Sequence, residues 1–146
     1  MLLLGMKNLS PQELTDGEAL NFGEVYRRYD RKGTCGMRAF ETNGTSITLQ
    51  QPGMYHVTAV ITFTGAATGD ASFQLAEAGT LIPGAVVTET VTTATTEIIT
   101  TTLDYIILVD SNYILNTVSA TKIITLVNTG IDTTVTNLIM NIVKEV

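Results

Sequence analysis

The sequence predicts an all-β protein, an antiparallel sandwich or barrel of about eight to ten short strands. Three observations support this prediction. Threonine, a β-branched residue that suits a pleated sheet better than a helix, accounts for 26 of the 146 residues. Apolar and polar residues alternate in several segments, and no segment of useful length has the period of a helix. Glycine, proline and asparagine residues that favour turns separate these segments.

The first third of the chain contains three expected strands. Residues 1–9 are mostly apolar and predict the first strand, and the stretch Ser10–Gly17 has the composition of a turn. A second strand is expected from Ala19 to Tyr29. The Asn43-Gly44 pair indicates a hairpin, because this dipeptide favours tight turns between extended segments. The short alternating segment Ile47–Leu49 supplies the strand after it.

The clearest strand follows the turn Gln51-Pro52-Gly53. Apolar side chains recur there at every second position, which places them on one face of the strand; they are Tyr55, Val57, Ala59, Ile61 and Phe63. Ala71–Leu75 alternates in the same way, and Leu81-Ile82 begins the strand that returns beside it. This region therefore predicts the centre of a sheet and a neighbouring hairpin.

Residues 88–102 contain nine threonines in fifteen positions. A glycosylated stalk has such a composition, but stalks are also rich in serine and proline, which this segment lacks. Valines and isoleucines alternate into it from both sides, so we expect two exposed strands joined by a turn. The last strands are expected at Tyr113–Val118, Lys122–Val127 and Val135–Val143.

The segment Leu103–Val109 is apolar on both of its faces. Tyr105, Ile107 and Val109 share one face, and Ile106 and Leu108 share the other. A strand of an antiparallel sandwich normally shows one face to water. We therefore expect this strand to lie in the centre of a larger assembly or under a neighbouring subunit.

Composition excludes several classes of function. A net charge of −6 and the absence of tryptophan argue against a nucleic-acid surface. One cysteine and one histidine exclude a disulfide framework, a four-cysteine zinc site and most histidine-based metal sites. No apolar run approaches the ~18 residues that a membrane span needs, so no membrane insertion is expected. The sequence predicts no cofactor and no metal.

Other candidate sites have structural interpretations beside the functional ones. A basic cluster could contact phosphate, sialic acid or an acidic partner, or it could be a solvated edge strand whose charges prevent aggregation; it comprises Arg27, Arg28, Arg31, Lys32 and Arg38.

No motif supports catalysis by Cys35 with His56. Asp104 and Asp110 flank one strand about 20 Å apart, too far to share an ion within one subunit, although ligands from three chains remain possible.

The stretch from Ile47 to Val57 resembles the signature of the complement 1q globular head domain and its tumour necrosis factor-like relatives. Gly53 and Tyr55 match that signature, and Phe40 is similar to its upstream aromatic residue. Four later segments resemble hairpins of the bacterial and phage versions of this domain; they are Phe73-Gln74-Leu75, Ala78-Gly79, Ile82-Pro83-Gly84 and Leu126–Gly130. Val57 and Ala59 stand where the animal domains have aromatic residues, so the resemblance is closer to the microbial branch.

This resemblance, which covers residues 18–146, implies an antiparallel jelly-roll sandwich of about ten strands that assembles as a homotrimer about a threefold axis. Residues 1–17 are then an N-terminal strand or a docking segment. Tyr105, Ile107 and Leu108 are the candidates near the axis, with the inward face of their strand left open. The substitution Ile107→Asp is expected to yield monomer or aggregate.

The expected function is a non-enzymatic structural or adhesion head of a phage or bacterial surface assembly, located on a virion or cell surface. No signal peptide is evident. The partners would be two further copies of the chain and a glycan or protein. The loops expected to meet that glycan or protein are Gly65–Asp70, Gly84–Glu89 and Asn128–Asp132, with Asp70, Asn128 and Asp132 as candidate contact residues.

Two other functions stay open at the level of sequence. A small-molecule or carbohydrate-active enzyme of the cupin kind also uses a jelly roll, but its metal site needs several histidines and this chain has one. A signalling ligand like the animal relatives needs only a displayed trimer, so the sequence does not separate it from an adhesion head.

Overall fold

The computed structural model describes residues 1–32, 38–112, 117–118 and 121–145. These residues form thirteen β-strands and no helix, which confirms the all-β prediction. In chain order the strands are β1 (Leu2–Asn8), β2 (Gln12–Leu14), β3 (Glu24–Tyr29), β4 (Phe40–Thr42), β5 (Ile47–Leu49), β6 (Gly53–Gly65), β7 (Gly69–Glu77), β8 (Thr80–Val91), β9 (Ile99–Val109), β10 (Ser111–Asn112), β11 (Thr117–Val118), β12 (Lys122–Asn128) and β13 (Thr133–Lys144). Within the described residues, no helix could cross a membrane.

Eleven of these strands form two antiparallel sheets. The first sheet has the order β3-β1-β13-β6-β9, with β2 also paired to β13, and the second has the order β4-β5-β12-β7-β8. β1 lies inside the first sheet, between β3 and β13, so the N-terminal segment is part of the sandwich. β10 and β11 form a separate ribbon. Much of the strand expected at Tyr113–Val118 lies outside the described residues.

β6 supplies the centre of the core, as its alternation predicts. Its five inward side chains from Tyr55 to Phe63 are fully buried, and burial of each large apolar side chain stabilises the fold by about 1.5–3 kcal/mol. The Phe63 ring packs edge-on against Phe73 of the second sheet, with ring centroids 5.1 Å apart. The two sheets therefore share one apolar core.

The residues that match the family signature fasten a turn to this core. Gly53 adopts a φ of 147°, a conformation that side chains disfavour. The buried Tyr55 hydroxyl donates a hydrogen bond of 2.6 Å to the Gln51 carbonyl oxygen. The Tyr55 ring also packs edge-on against Phe40, with centroids 5.8 Å apart. Glycine, tyrosine and the upstream aromatic residue thus act together on one turn.

We expect Tyr55→Phe to lower the free energy of unfolding by about 1–2 kcal/mol, because it leaves a buried carbonyl without this donor. The measurement is the urea midpoint at fixed protein concentration. Tyr29→Phe is the matched control, since Tyr29 is 63% exposed, and it should change stability by less than about 0.5 kcal/mol. Equal midpoints for the two variants would contradict this role of the hydroxyl.

The threonine-rich segment forms two strands and a turn, as predicted. β8 ends at Val91 and β9 begins at Ile99. In the turn, the Glu97 carboxylate accepts hydrogen bonds from the Thr92 amide at 2.9 Å and from the Thr92 hydroxyl at 3.0 Å. These bonds, the amide's first, hold the pKa of Glu97 below its ordinary value. The segment therefore needs no glycan to account for its composition.

Candidate functional site

The outer face of the first sheet, which consists of the side chains directed away from the second sheet, carries exposed apolar residues. β9 pairs along its whole length with β6. Because side chains alternate between faces, Leu103 and Ile107 enter the core, whereas Ile106 and Leu108 point outward and are 54% and 51% exposed. Met54 of β6 is 37% exposed on the same face. Exposed apolar groups that adjoin one another are typical of interaction surfaces.

The three residues expected near a threefold axis therefore lie in different environments. Ile107 is only 4% exposed in the core of the subunit, and Tyr105 is partly buried against that core. Leu108 lies on the outer face. Ile106, which the sequence did not single out, lies there as well. Because the strand is apolar on both faces, only its pairing with β6 shows which face is covered.

Strand pairing aligns four side chains of the outer face in one row. These are Leu3 of β1, Val143 of β13, His56 of β6 and Ile106 of β9. The imidazole thus lies among the apolar side chains of Leu3, Val143 and Ile106, and Tyr29 of β3 ends the row beyond Leu3. It lies on the side of the sheet that the described part of the chain leaves uncovered.

Both nitrogens of the His56 ring face carboxylates. Nε2 contacts Oδ1 of Asp104, which lies diagonally across on β9. Nδ1 is 3.5 Å from Oε1 of Glu145, just beyond the end of β13. The Glu145 amide donates to the Met54 carbonyl oxygen at 2.9 Å, which continues the pairing of β13 with β6 and positions the carboxylate.

This arrangement raises the pKa of His56 above its ordinary value. The hydrogen bond from the ring to Asp104 is the largest cause. Burial opposes it as the second largest effect, and the negative charges of Asp104 and Glu145 add to the rise. The cluster therefore stabilises the fold below the ordinary histidine pKa. That contribution is lost as the pH rises through the raised pKa.

The opposite side of the outer face, on β1 and β3, carries cations and an aromatic ring. A side chain at Gly5 would lie 2.9 Å from the Tyr26 ring, so glycine lets that ring lie against the sheet. The Tyr26 hydroxyl donates to Asn141 at 2.8 Å. Lys7 lies 5.8 Å from the ring centroid, and Arg27 aligns with Gly5. The face thus has a basic side at β1–β3 and an acidic side at β6–β9.

The basic cluster lies on and beside an edge strand, because β3 is the outermost strand of its sheet. Arg28 is used by the fold itself. Its guanidinium donates to the Phe40 carbonyl oxygen at 2.6 Å and to the Asp30 carboxylate at 3.0 Å. Asp30 in turn accepts a hydrogen bond from the Ala39 amide at 2.9 Å. Arg28 therefore joins the two sheets and is not available as a free phosphate contact.

Two of the three predicted loops lie side by side at one end of the sandwich. The Ile131 amide donates to the Asp70 carbonyl oxygen at 3.1 Å, and the Ala66 amide donates to the Asp132 carbonyl oxygen at 2.9 Å. The third segment, Gly84–Glu89, is not a loop, since it lies within β8. The glycine there does not end the strand.

The three candidate contact residues at these loops differ in exposure. Asp70 is exposed and accepts a hydrogen bond from the Thr90 hydroxyl at 3.0 Å, and Asp132 is also exposed. Asn128 is fully buried. Its side-chain amide donates to the carbonyl oxygens of Leu14 at 3.2 Å and Ile131 at 3.1 Å. Asn128 therefore organises the turn and is not presented to a partner.

A groove of about 690 Å³ opens beside these loops. Its described lining includes three carboxylates, Glu13, Glu18 and Asp132, together with threonines such as Thr95 and Thr133. The groove is open and polar on much of its surface, unlike the apolar pockets that enclose small molecules. It would suit a hydroxylated or basic group at the surface of a larger partner.

The candidate catalytic and metal sites do not gain support from the geometry. Cys35 lies outside the described residues, and both His56 nitrogens face carboxylates, so neither is directed at a nucleophile. Asp104 is engaged with His56 and is separated from Asp110 along β9. Among the described residues, no three histidine, cysteine or acidic side chains converge to hold a metal ion.

Comparison with known proteins gives matches in structure alone. No protein-family model and no curated protein sequence matches the chain. The globular domain of a zebrafish complement 1qA protein matches with a TM-score of 0.61 and 6% identity, over 100% of this chain and 98% of that one. Murine APRIL matches with a TM-score of 0.65 and 9% identity, over 99% and 98% of the two chains.

A third structure, the Eiger TNF of S. frugiperda, matches with a TM-score of 0.52 and 10% identity, over 99% of this chain and 91% of that one. Sequence identities this low support only the assignment of the fold. The three matches extend over nearly the whole of each chain, and they agree with the two antiparallel sheets described above. The chain therefore has the jelly-roll fold of complement 1q globular domains and tumour necrosis factor-like proteins.

Proposed function

We propose that this chain is the non-enzymatic, trimeric head of a surface assembly on a phage or bacterium, where it presents one end of its jelly roll to a glycan or protein. The observation that carries the proposal is the uncovered outer face, where Met54, Ile106 and Leu108 are exposed beside one another. The fold shared with complement 1q and tumour necrosis factor-like proteins adds support.

Charge on the outer face favours a second copy of the chain as its occupant. The basic side carries Lys7 and Arg27, with Glu24 aligned to Lys7, and the acidic side carries Asp104 and Glu145. If the β9 side of one copy meets the β1–β3 side of the next, opposite charges face each other around an apolar centre. A head-to-tail contact of this kind closes into a ring when its rotation allows.

The loop end is the surface that such a ring leaves for an outside partner. Asp70 and Asp132 lie exposed there beside the open groove. Hydrogen bonds between the two loops hold them against each other, so the surface is set by a rigid sandwich and not by free segments. Threonine hydroxyls and carboxylates suit the hydroxyl groups of a glycan or the polar surface of a protein.

The test of assembly is light scattering after size exclusion of the intact protein. Three copies of the 15.7 kDa chain have a mass of about 47.1 kDa. We expect a single peak of that mass that does not change on dilution. A peak at 15.7 kDa at every concentration would overturn the trimer. A glycan array then tests the adhesion function, and Asp132→Asn, which changes only charge at the groove, is the variant to compare.

A further inference from the structure

His56, Asp104 and Glu145 form a charged cluster within the otherwise apolar part of the outer face. Met54 lies beside the cluster on β6, and Ile106 lies opposite His56 on β9. The imidazole and the two carboxylates are each between 36% and 59% exposed. A partner that covers Met54 and Ile106 must therefore also cover the cluster.

The geometry of the ring distinguishes its two protonation states. A neutral imidazole donates through one nitrogen only, whereas an imidazolium donates through both. Because Nε2 faces Asp104 and Nδ1 faces Glu145, only the protonated ring can donate to both carboxylates. In the neutral state, one carboxylate must face a ring nitrogen that has no proton.

The other nearby charges lie away from the ring. Lys144 aligns with Tyr55, so its side chain leaves the sheet on the opposite face from His56. Asp110 follows β9, four residues beyond the Ile106 that aligns with His56. On β1 the row that contains His56 continues with the apolar Leu3, and it ends at Tyr29 on the edge strand β3. Within the described part of the chain, Asp104 and Glu145 are therefore the charged groups in contact with the ring.

We infer that His56, Asp104 and Glu145 make the association of the outer face with a second copy of the chain dependent on pH, stronger in mildly acidic solution and weaker as the pH rises through neutrality. This inference rests on the proposed self-association. It adds the regulation of that contact, which neither the fold nor the apolar face implies.

The direction of this pH dependence follows from the charges that association would remove from water. On the facing side of the next copy, Lys7 and Arg27 together with Glu24 present one net positive charge. With a neutral ring, the two carboxylates of the cluster exceed that charge. With a protonated ring, the cluster's one net negative charge matches it, and both hydrogen bonds to the ring are satisfied. Burial of uncompensated charge is costly, so association should take up protons. If each of three subunits takes up one proton, the association constant falls by up to about a thousandfold per pH unit.

The test is sedimentation equilibrium of the wild type between about pH 6 and about pH 8 at constant ionic strength, a range in which histidine is the side chain that ordinarily titrates. Since the chain has one histidine, His56→Gln should remove the pH dependence. Thr125→Gln, on the outer side of the second sheet, is the matched control and should keep it. A trimer whose association constant does not vary with pH would overturn the inference and leave the trimer intact.

A second measurement decides the question if the trimer is too tight to dissociate. The single imidazole can be titrated by NMR in the wild-type trimer and in a monomeric outer-face variant that adds no charge beside the ring, such as Leu108→Gln. We expect a higher His56 pKa in the trimer. An equal or lower pKa would overturn the pH dependence, whereas a wild type that is monomeric at every pH would overturn the proposed assembly itself.

Discussion

Replacement of Ile107 by aspartate is expected to prevent the subunit from folding. Ile107 is 4% exposed and lies in the core on the inward face of β9. Removal of a buried aliphatic side chain costs about 2–5 kcal/mol, and an unpaired carboxylate in its place costs several kcal/mol more. The sum is comparable to the whole stability of a small domain, which is about 5–15 kcal/mol.

The measurement is the yield of soluble protein together with its circular dichroism spectrum. Ile107→Val is the matched control, because it removes one methylene group and should cost only about 0.5–1.5 kcal/mol. We expect a folded control and an aggregated or unfolded Ile107→Asp variant. A soluble Ile107→Asp variant with a native β spectrum would show that this side chain does not lie in the subunit core.

The sequence predicts the core of this protein well because burial and strand period agree there. From Tyr55 to Phe63, every second residue is apolar, and each of those side chains is fully buried. Gly53 and Tyr55 also identify the turn that they fasten. Where one face is apolar and the other polar, the pattern alone is enough to orient the strand.

The exposed outer face of the first sheet could not be predicted in the same way. In β9 both faces are apolar, so composition cannot separate Ile106 from Ile107, and only the register with β6 does so. The cluster joins His56 to Asp104, which is 48 positions away in the sequence, and to Glu145, which is farther still. Nothing in the local sequence of any one of them indicates the other two.

Polar residues whose partners are distant in the sequence could not be placed from the sequence either. Asn128 is the last residue of β12, beside a turn of typical composition, and polar residues at such positions are usually exposed. Here its side chain is buried because two carbonyl groups, of Leu14 and Ile131, need a donor inside the sandwich. In the same way, Arg28 belongs to a basic cluster, but its guanidinium donates to the Phe40 carbonyl oxygen and pairs with the Asp30 carboxylate. Long-range partners decide both outcomes.

Leu108→Asp is expected to convert the proposed trimer into folded monomers. Leu108 is 51% exposed in the subunit, and substitutions at exposed positions usually change the stability of the fold by no more than about 0.5 kcal/mol. In the trimer the same position would be covered by a neighbour. The substitution then buries one unpaired carboxylate at each of the three contacts of the ring. Each of these ions costs several kcal/mol.

Ile123→Asp is the matched control, because Ile123 is 44% exposed on a strand of the second sheet. Light scattering should give about 15.7 kDa for Leu108→Asp and three times that mass for Ile123→Asp, with the same circular dichroism spectrum for both. Dissociation of both variants would mean that the loss of assembly is not specific to the outer face of the first sheet. A Leu108→Asp protein that stays trimeric on dilution would place the contact elsewhere, and the exposed row beside His56 would then need another partner.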